Sequence, residues 1–305
     1  MTASINLQDV TRRFGAIEAV RAVSLALPPG ETVALVGHNG AGKTTLMKLM
    51  LGLIHPTAGT VQVLGENPAA GQFAARRRLG YLPESVAFNT ALTARETLAF
   101  YARLKREPVA RMGDLLDRVG LGAAADRRVG TYSKGMRQRL GLAQALIGAP
   151  AVMLLDEPTT GLDPALRHSF YEIIQELRDR GATVLLSSHA LTELEERAER
   201  VIIMNRGIMV ANGSVDDLRR IACLPVRIRI AAPADSLAAI PEWVGPIGTC
   251  RRINGHVVEV QVGLEQKIEV LKRSVAHGTV DDLDIVPPTL DDLYAHFLMS
   301  QEMPA

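Results

Sequence analysis

The chain has 305 residues, 47% of them hydrophobic, which is enough for one large core or two, and a length that favours two domains. With 34 Lys and Arg against 33 Asp and Glu, interspersed, there is no basic face to suggest nucleic acid and no acidic tail. Cys223 and Cys250 stand far apart without a CxxC, which argues for a reducing compartment and against a zinc knuckle or disulfide framework.

The opening Met1-Thr-Ala-Ser-Ile-Asn lacks a basic segment followed by an apolar run, so no signal peptide is expected. Residues 5–10 and 23–27 read as strands of a small antiparallel layer, joined by a loop carrying Arg12-Arg13-Phe14-Gly15. Phe14 stands either where an aromatic covers an adenine or as an ordinary core phenylalanine.

Residues 32–45, Thr-Val-Ala-Leu-Val-Gly-His-Asn-Gly-Ala-Gly-Lys-Thr-Thr, read as a buried strand running into a phosphate cradle, the Gly-x-x-x-x-Gly-Lys-Thr P-loop. Gly37, Gly40 and Gly42 let the backbone fold round a polyphosphate, with His38, Asn39 and Ala41 between them. Lys43 adds a point charge and Thr44 a hydroxyl for Mg²⁺. The helical pattern from Thr45 onward aims a helix N-terminus at the phosphates.

Residues 59–65 alternate as a strand, and residues 79–85 read as a strand ending in a loop that carries Glu84. From 94 to 148 the pattern is helical, with helices expected at 96–104 and 113–120, making an inserted lobe. Its last helix follows Tyr132-Ser-Lys-Gly, where Ser133 caps and Gly135 admits a close ligand; the same segment also reads as a simple capped amphipathic helix. Uncharged runs at 49–65 and 140–155 are broken by Pro56, Pro150 and glycines, so no membrane span is expected.

Residues 152–157, Val-Met-Leu-Leu-Asp-Glu, are an apolar strand ending in adjacent carboxylates, which alternation along a strand points in different directions. Asp156 then suits Mg²⁺, and Glu157 faces an attacking water, as phosphoanhydride hydrolysis requires. Pro-Thr-Thr-Gly-Leu-Asp163 follows. Residues 182–189 read as another buried strand that presents His189 at its C-terminal end, the ligand side of an open α/β sheet, where it stands either as a γ-phosphate sensor or as a core histidine.

Taken in this order, the P-loop, Ser-Lys-Gly, Asp-Glu, Gly-Leu-Asp and His189 resemble an ABC-type ATPase over residues 5–220. The resemblance implies an α/β P-loop NTPase fold with an antiparallel β layer and an inserted helical lobe, binding ATP and Mg²⁺. It implies that Lys43, Thr44 and Asp156 handle phosphates and Mg²⁺, that Glu157 is the general base, and that His189 holds the γ-phosphate. Ser133, Lys134 and Gly135 would contact nucleotide, and Asp163 would sit in the loop by which two protomers communicate. The chain departs from the family pattern in having Lys134 for Gly, Met136 for Gln and Tyr132 for Leu. Glu84 stands where the family has a Gln that touches Mg²⁺ and water; a carboxylate is still a hard oxygen ligand.

One P-loop and one signature far apart in the chain imply two half-sites, completed in a head-to-tail homodimer. The Gly-Tyr-Leu-Pro-Glu loop resembles the subgroup serving ABC-2-type membrane exporters, which implies a cytoplasmic subunit held to the inner face of the cell membrane by an integral permease. Residues 80–88 and 92–104 resemble the family of ATPase subunits in the system that matures nitrous oxide reductase. That implies a periplasmic protein beyond the permease and copper- or sulfur-related cargo. No copper site is expected on the chain itself, because its two cysteines, seven histidines and ten methionines form no soft cluster. The alternative is a soluble ABC ATPase acting on ribosomes or nucleic acid, which shares every catalytic motif; no second P-loop, sustained heptads or basic face favours it.

Residues 221–305 read as a small α+β regulatory or dimer-supporting domain, apart from the nucleotide-binding domain of 1–220. Segments 226–230, 235–240, 247–253, 257–262, 264–275 and 279–285 suggest strand, helix, strand, strand, helix, strand, the split βαβ order, with a final helix at 290–299 after Pro287-Pro288.

Overall fold

Alternating apolar residues in the first 27 positions build two long strands, β1 (Ile5–Phe14) and β2 (Ile17–Leu27), in the computed structural model, which describes residues 3–71, 73–278 and 280–300. The strands are longer than the sequence suggests. Arg12, Arg13 and Phe14 lie within β1 and not in a loop, because bulges let the pairing continue to Phe14 opposite Ile17. The chain then forms β3 (Thr32–Val36), α1 (Lys43–Met50), β4 (Ala58–Val63), α2 (Phe73–Arg77) and β5 (Leu79–Leu82).

The helical lobe follows, with α3 (Ala94–Lys105), α4 (Met112–Arg118) and α5 (Lys134–Ala145). Thr93 and Glu96 start α3 with reciprocal capping bonds, and Arg106 in the left-handed region ends it. After the lobe come β6 (Val152–Asp156), α6 (Pro164–Asp179), β7 (Thr183–Ser187), α7 (Leu191–Glu195), β8 (Arg200–Asn205) and β9 (Ile208–Gly213).

Two sheets result. An antiparallel layer runs β2-β1-β4, and a six-stranded sheet runs β5-β6-β7-β3-β8-β9, in which neighbours from β5 through β8 are parallel. Every residue of β3, β6 and β7 is buried, as a parallel sheet covered on both faces demands of its sequence. Leu46 and Met50 of α1 share one apolar cluster with Ile5 and Leu25 of the layer and with Leu35, Leu185 and Ile202 of the parallel sheet. Truncating such a buried leucine to alanine costs about 2–5 kcal/mol. This packing fixes α1, and with it the P-loop, against both sheets.

The chain divides into units Met1–Asn212 and Gly213–Ala305, where the sequence reading puts the join at 220. The second unit contains α8 (Val215–Ala222), β10 (Val226–Ala231), α9 (Ile240–Val244), β11 (Thr249–Arg252), β12 (Val257–Val262), α10 (Lys267–His277), β13 (Asp282–Val286) and α11 (Leu290–Met299). Its antiparallel sheet has the order β11-β12-β10-β13, with α9 between the first two strands in sequence and α10 between the last two, the split βαβ arrangement. Ile228, Ile230, Val258 and Val260 form its core.

Several boundaries in this unit differ from expectation, the strand expected at 247–253 forming at Thr249–Arg252 after a 3₁₀ turn, Gly245–Ile247. The helix expected at 235–240 is a 3₁₀ turn, Leu237–Ala239, that leads into α9, whose first turn holds Pro241 where a missing N–H is harmless. The next helix starts at Lys267 and runs to His277, ended by Gly278 at φ +63°. The last strand forms at Asp282–Val286, and Thr279, where it was expected to begin, lies outside the described residues. Among the described residues no helix is long and apolar enough to cross a membrane.

Candidate nucleotide site

Adjacency of β6, β7 and β3 in the sheet brings three chemically armed strand ends to one edge. β3 runs into the P-loop, β6 ends at Asp156, and β7 ends at Ser187, two residues before His189. The loop backbone is tightly enclosed. A Cβ on Gly37 would come within 2.6 Å of the Met204 carbonyl oxygen, and Gly42, at φ +104°, would collide with the Ala19 carbonyl. His38 is held at both ring nitrogens, by the Asn39 carbonyl at 2.7 Å and by Asn205 Oδ1 at 3.0 Å, so the end of β8 also shapes the loop.

Lys43 curls over this cradle and donates to the Gly37 carbonyl at 2.5 Å and the His38 carbonyl at 3.2 Å. Burial lowers its pKa, and the carboxylates of Glu157, Asp156 and Glu84 work against that shift. The cleft bordered by residues 38–45 has a volume of about 520 Å³ and is completed by Ile17, Glu18, Ala19 and Arg21 from β2 and by Arg206.

Thr44 Oγ1 donates to Asp156 Oδ2 at 2.8 Å, and Ser187 Oγ donates to Asp156 Oδ1 at 2.7 Å. Ser187 Oγ in turn accepts the Glu157 N–H at 3.0 Å. Glu157 lies beyond the strand in the left-handed region, at φ +49°, so a backbone turn, and not the strand alternation expected over 152–157, separates the two carboxylates. Its Oε2 accepts the His189 N–H at 3.2 Å; Oε1, buried and accepting no hydrogen bond, faces His189 Nε2 at 3.2 Å. Burial raises the Glu157 pKa, and His189 and Lys43 oppose the rise. A buried carboxylate oxygen without a donor is a strong acceptor left available within the site.

The hydroxyl of Thr44 and the carboxylate of Asp156 are a hard oxygen pair suited to Mg²⁺. Glu84 lies exposed just beyond β5, the strand beside β6. Phe14 is half-exposed at the end of β1 and is not among the residues bordering the cleft; the Arg12 guanidinium covers one face of its ring, 4.4 Å from the centroid.

Ser133, Lys134 and Gly135 likewise stand away from the P-loop cleft of the same chain. Ser133 caps α5 by accepting the Met136 N–H at 3.2 Å, and a Cβ on Gly135 would lie 3.6 Å from the Gly161 carbonyl. Tyr132 is buried, with its hydroxyl donating to the Ala124 carbonyl at 2.6 Å, so it fills a core position with its polar end satisfied. Asp163 caps α6 by accepting the Leu166 N–H. Gln138, 4% exposed, ties the signature helix to the loop after β6 through the Pro158 carbonyl.

Sequence reasoning missed Ser187, Asn205 and Gln138. Ser187 carries a signal in hindsight, a hydroxyl ending an otherwise apolar strand two residues before a site histidine; Asn205 and Gln138 carry none without the fold.

A P-loop on a parallel sheet, a hydroxyl–carboxylate pair beside it and a second carboxylate held by a histidine define the ATP-binding cassette class. A family model described as ABC transporter matches residues 20–160. The chain is 40% identical over 220 residues to the uncharacterized ABC transporter ATP-binding protein YxlF of Bacillus subtilis, covering 71% of this chain and 72% of that one. It is 34% identical over 309 residues to the Nod factor export ATP-binding protein I of Rhizobium etli, covering 99% and 95%. A solved ATP-binding subunit of an ABC transporter superposes with a TM-score of 0.68 at 32% identity, over 71% of this chain and 92% of that one.

The chain belongs to the ABC transporter ATP-binding proteins. Members of the family are ATPases that bind ATP, generally with Mg²⁺, and work with membrane permeases, typically as dimers.

Proposed function

We propose that this chain is the motor subunit of a membrane exporter, a head-to-tail homodimer seated on the cytoplasmic face of the membrane through a permease. The observation that carries the reading is the unbroken line of contacts from Thr44 through Asp156, Ser187 and Glu157 to His189. In it, one carboxylate is held beside the P-loop and the other is left with an unsatisfied oxygen.

On this reading Lys43 leaves the loop carbonyls for the β- and γ-phosphates, and the backbone N–H groups of residues 37–45 surround them. Bound Mg²⁺ neutralises phosphate charge, with Thr44, Asp156 and Glu84 as the residues to hold it. Glu157 takes a proton from water as the new O–P bond forms and the bond from the γ-phosphorus to the bridging oxygen breaks, leaving ADP and phosphate. His189 holds the γ-phosphate, and Ser133, Lys134 and Gly135 of a second copy close the site. Phe14, half-exposed at the end of β1 and outside the residues bordering the cleft, is the aromatic proposed to stack on adenine.

Phe100 and Leu104 of α3 are 52% and 64% exposed, an apolar pair on the lobe that suits a permease contact. Within the exporters, residues 80–88 and 92–104 support a NosF-like role, with a NosY-like permease, a NosD-like periplasmic protein and copper- or sulfur-related cargo. A second reading is export of a Nod-factor-like molecule, favoured by the similarity to the Rhizobium etli protein that extends over 99% of this chain.

Purifying the tagged chain from a detergent extract tests the class. An integral membrane protein should be recovered with it, and ribosomes or nucleic acid in its place would overturn the reading. A periplasmic copper-handling protein encoded beside the permease separates the NosF-like role from the second reading.

A further inference from the structure

Ser187 is fully buried at the end of β7, and both directions of its hydroxyl are spent on the site. It donates to Asp156 Oδ1 at 2.7 Å and accepts the Glu157 N–H at 3.0 Å. The contact follows from the sheet itself: Asp156 and Ser187 are direct partners in the parallel register of β6 and β7, which sets their side chains on one face.

Two groups depend on it. Asp156 is buried, and its other oxygen already accepts from Thr44, so loss of Ser187 Oγ leaves a buried carboxylate oxygen without its donor and free to turn. The Glu157 N–H belongs to a residue in the left-handed region, φ +49°, a conformation that persists only where the surroundings hold it. One hydroxyl therefore fixes the carboxylate beside the P-loop and the backbone that aims the second carboxylate.

We infer that Ser187 is a positioning residue for ATP hydrolysis, holding Asp156 in the orientation that serves the metal and Glu157 in the orientation that serves water. Its hydroxyl acts through these two residues, its hydrogen-bond partners being Asp156 Oδ1 and the Glu157 N–H. The inference rests on the reading of Asp156 as the metal-side carboxylate.

The test is Ser187→Ala in the full chain, read by nucleotide affinity with Mg²⁺ and with EDTA, by kcat and by melting temperature. Loss of a hydrogen bond to a charged group predicts a fall in kcat of about 10- to 100-fold, and a higher Mg²⁺ requirement, with metal-free ATP affinity unchanged. In an Asp156→Asn background the same substitution should change Mg²⁺-dependent affinity by less than about threefold, because the partner it acts through is already altered. Ser187→Thr, which keeps the hydroxyl, should recover most of the Mg²⁺ response.

Wild-type Mg²⁺ dependence and kcat in Ser187→Ala would overturn the inference. So would equal losses of metal-free and metal-dependent binding alongside a lowered melting temperature, the pattern of a purely structural residue. If Asp156→Asn alone leaves Mg²⁺ dependence intact, it is the reading of Asp156 that fails.

Discussion

His189 engages both carboxylate oxygens of Glu157, its N–H donating to Oε2 and its Nε2 standing 3.2 Å from Oε1. The histidine thereby fixes the carboxylate from one side, and beyond this pairing Oε1 accepts no hydrogen bond. On the proposed mechanism, an amide at 157 keeps the shape and loses the base. Glu157→Gln is expected to bind ATP normally and to turn over about 10²- to 10⁴-fold more slowly, about 3 to 5 kcal/mol of barrier. Size-exclusion chromatography with ATP and Mg²⁺ should show a dimer more persistent than wild type, and undiminished turnover would remove Glu157 from the chemistry.

The pH profile follows from the same contact. Burial raises the Glu157 pKa, while His189 and Lys43 hold it down. As the base proposed for hydrolysis Glu157 must be ionised, so kcat should rise with pH along an acid limb lying above the ordinary carboxylate range. Removing the imidazole in His189→Ala should move that limb further up. The stability effect has the opposite sense: the folded state binds the proton more tightly than the unfolded one, so this site's contribution falls as pH rises through the window. A limb that stays put in His189→Ala would separate the two groups.

Glu84 is exposed, yet its charge reaches Lys43. If the carboxylate serves as an oxygen ligand, Glu84→Gln retains a carbonyl oxygen and a working ATPase, within about tenfold of wild-type kcat/KM, or about 1.4 kcal/mol. A larger loss confined to Mg²⁺-dependent turnover would show that the charge itself is needed.

What was legible in the sequence is what local pattern encodes. Five buried residues ending in a glycine loop, or in Asp-Glu, announce β3 and β6, and the P-loop spacing names its own chemistry. The ten-residue reach of β1 was not legible, because bulges at irregular registers break strict alternation without ending the strand. Asn205 was invisible for another reason: its tie to His38 spans 167 positions and exists only once β8 lies beside β3. Ser187 is intermediate, a polar residue whose place is suggestive and whose partners depend on register.

Lys105 offers a test of the lobe's attachment. Its ammonium donates to the Leu79 carbonyl at 2.8 Å and the Ile147 carbonyl at 2.9 Å, joining the end of α3 to the start of β5 and to the segment after α5. Burial lowers its pKa from 10.5 to about 8, with Glu107 opposing. Between those values the unfolded state holds the proton that the folded state has released, so stability should rise with pH across the window, by on the order of 3 kcal/mol. Denaturant titrations of wild type and Lys105→Met at pH values on either side of the window should show wild type gaining on the mutant at the alkaline end. Parallel behaviour of the two proteins would mean that Lys105 does not titrate there.

Copper enters only through the proposed cargo, and the chain's own donors bear on where it is handled. Copper(I) favours thiolate and thioether, and copper(II) favours imidazole. Cys223 is exposed and Cys250 partly buried, both unbridged, and among the described residues no group of three or more His, Cys, Asp or Glu is placed to hold a metal ion. His38 is tied to Asn39 and Asn205, and His189 to Glu157, so the histidines nearest the nucleotide site are already engaged. The purified subunit is therefore expected to bind no stoichiometric copper and to hydrolyse ATP without it, any dependence on cargo arising only in the assembled membrane complex. Anaerobic calorimetric titration with copper(I) checks this. A tight one-to-one site abolished by Cys223→Ser or Cys250→Ser would falsify it and place a cargo contact on the motor subunit itself.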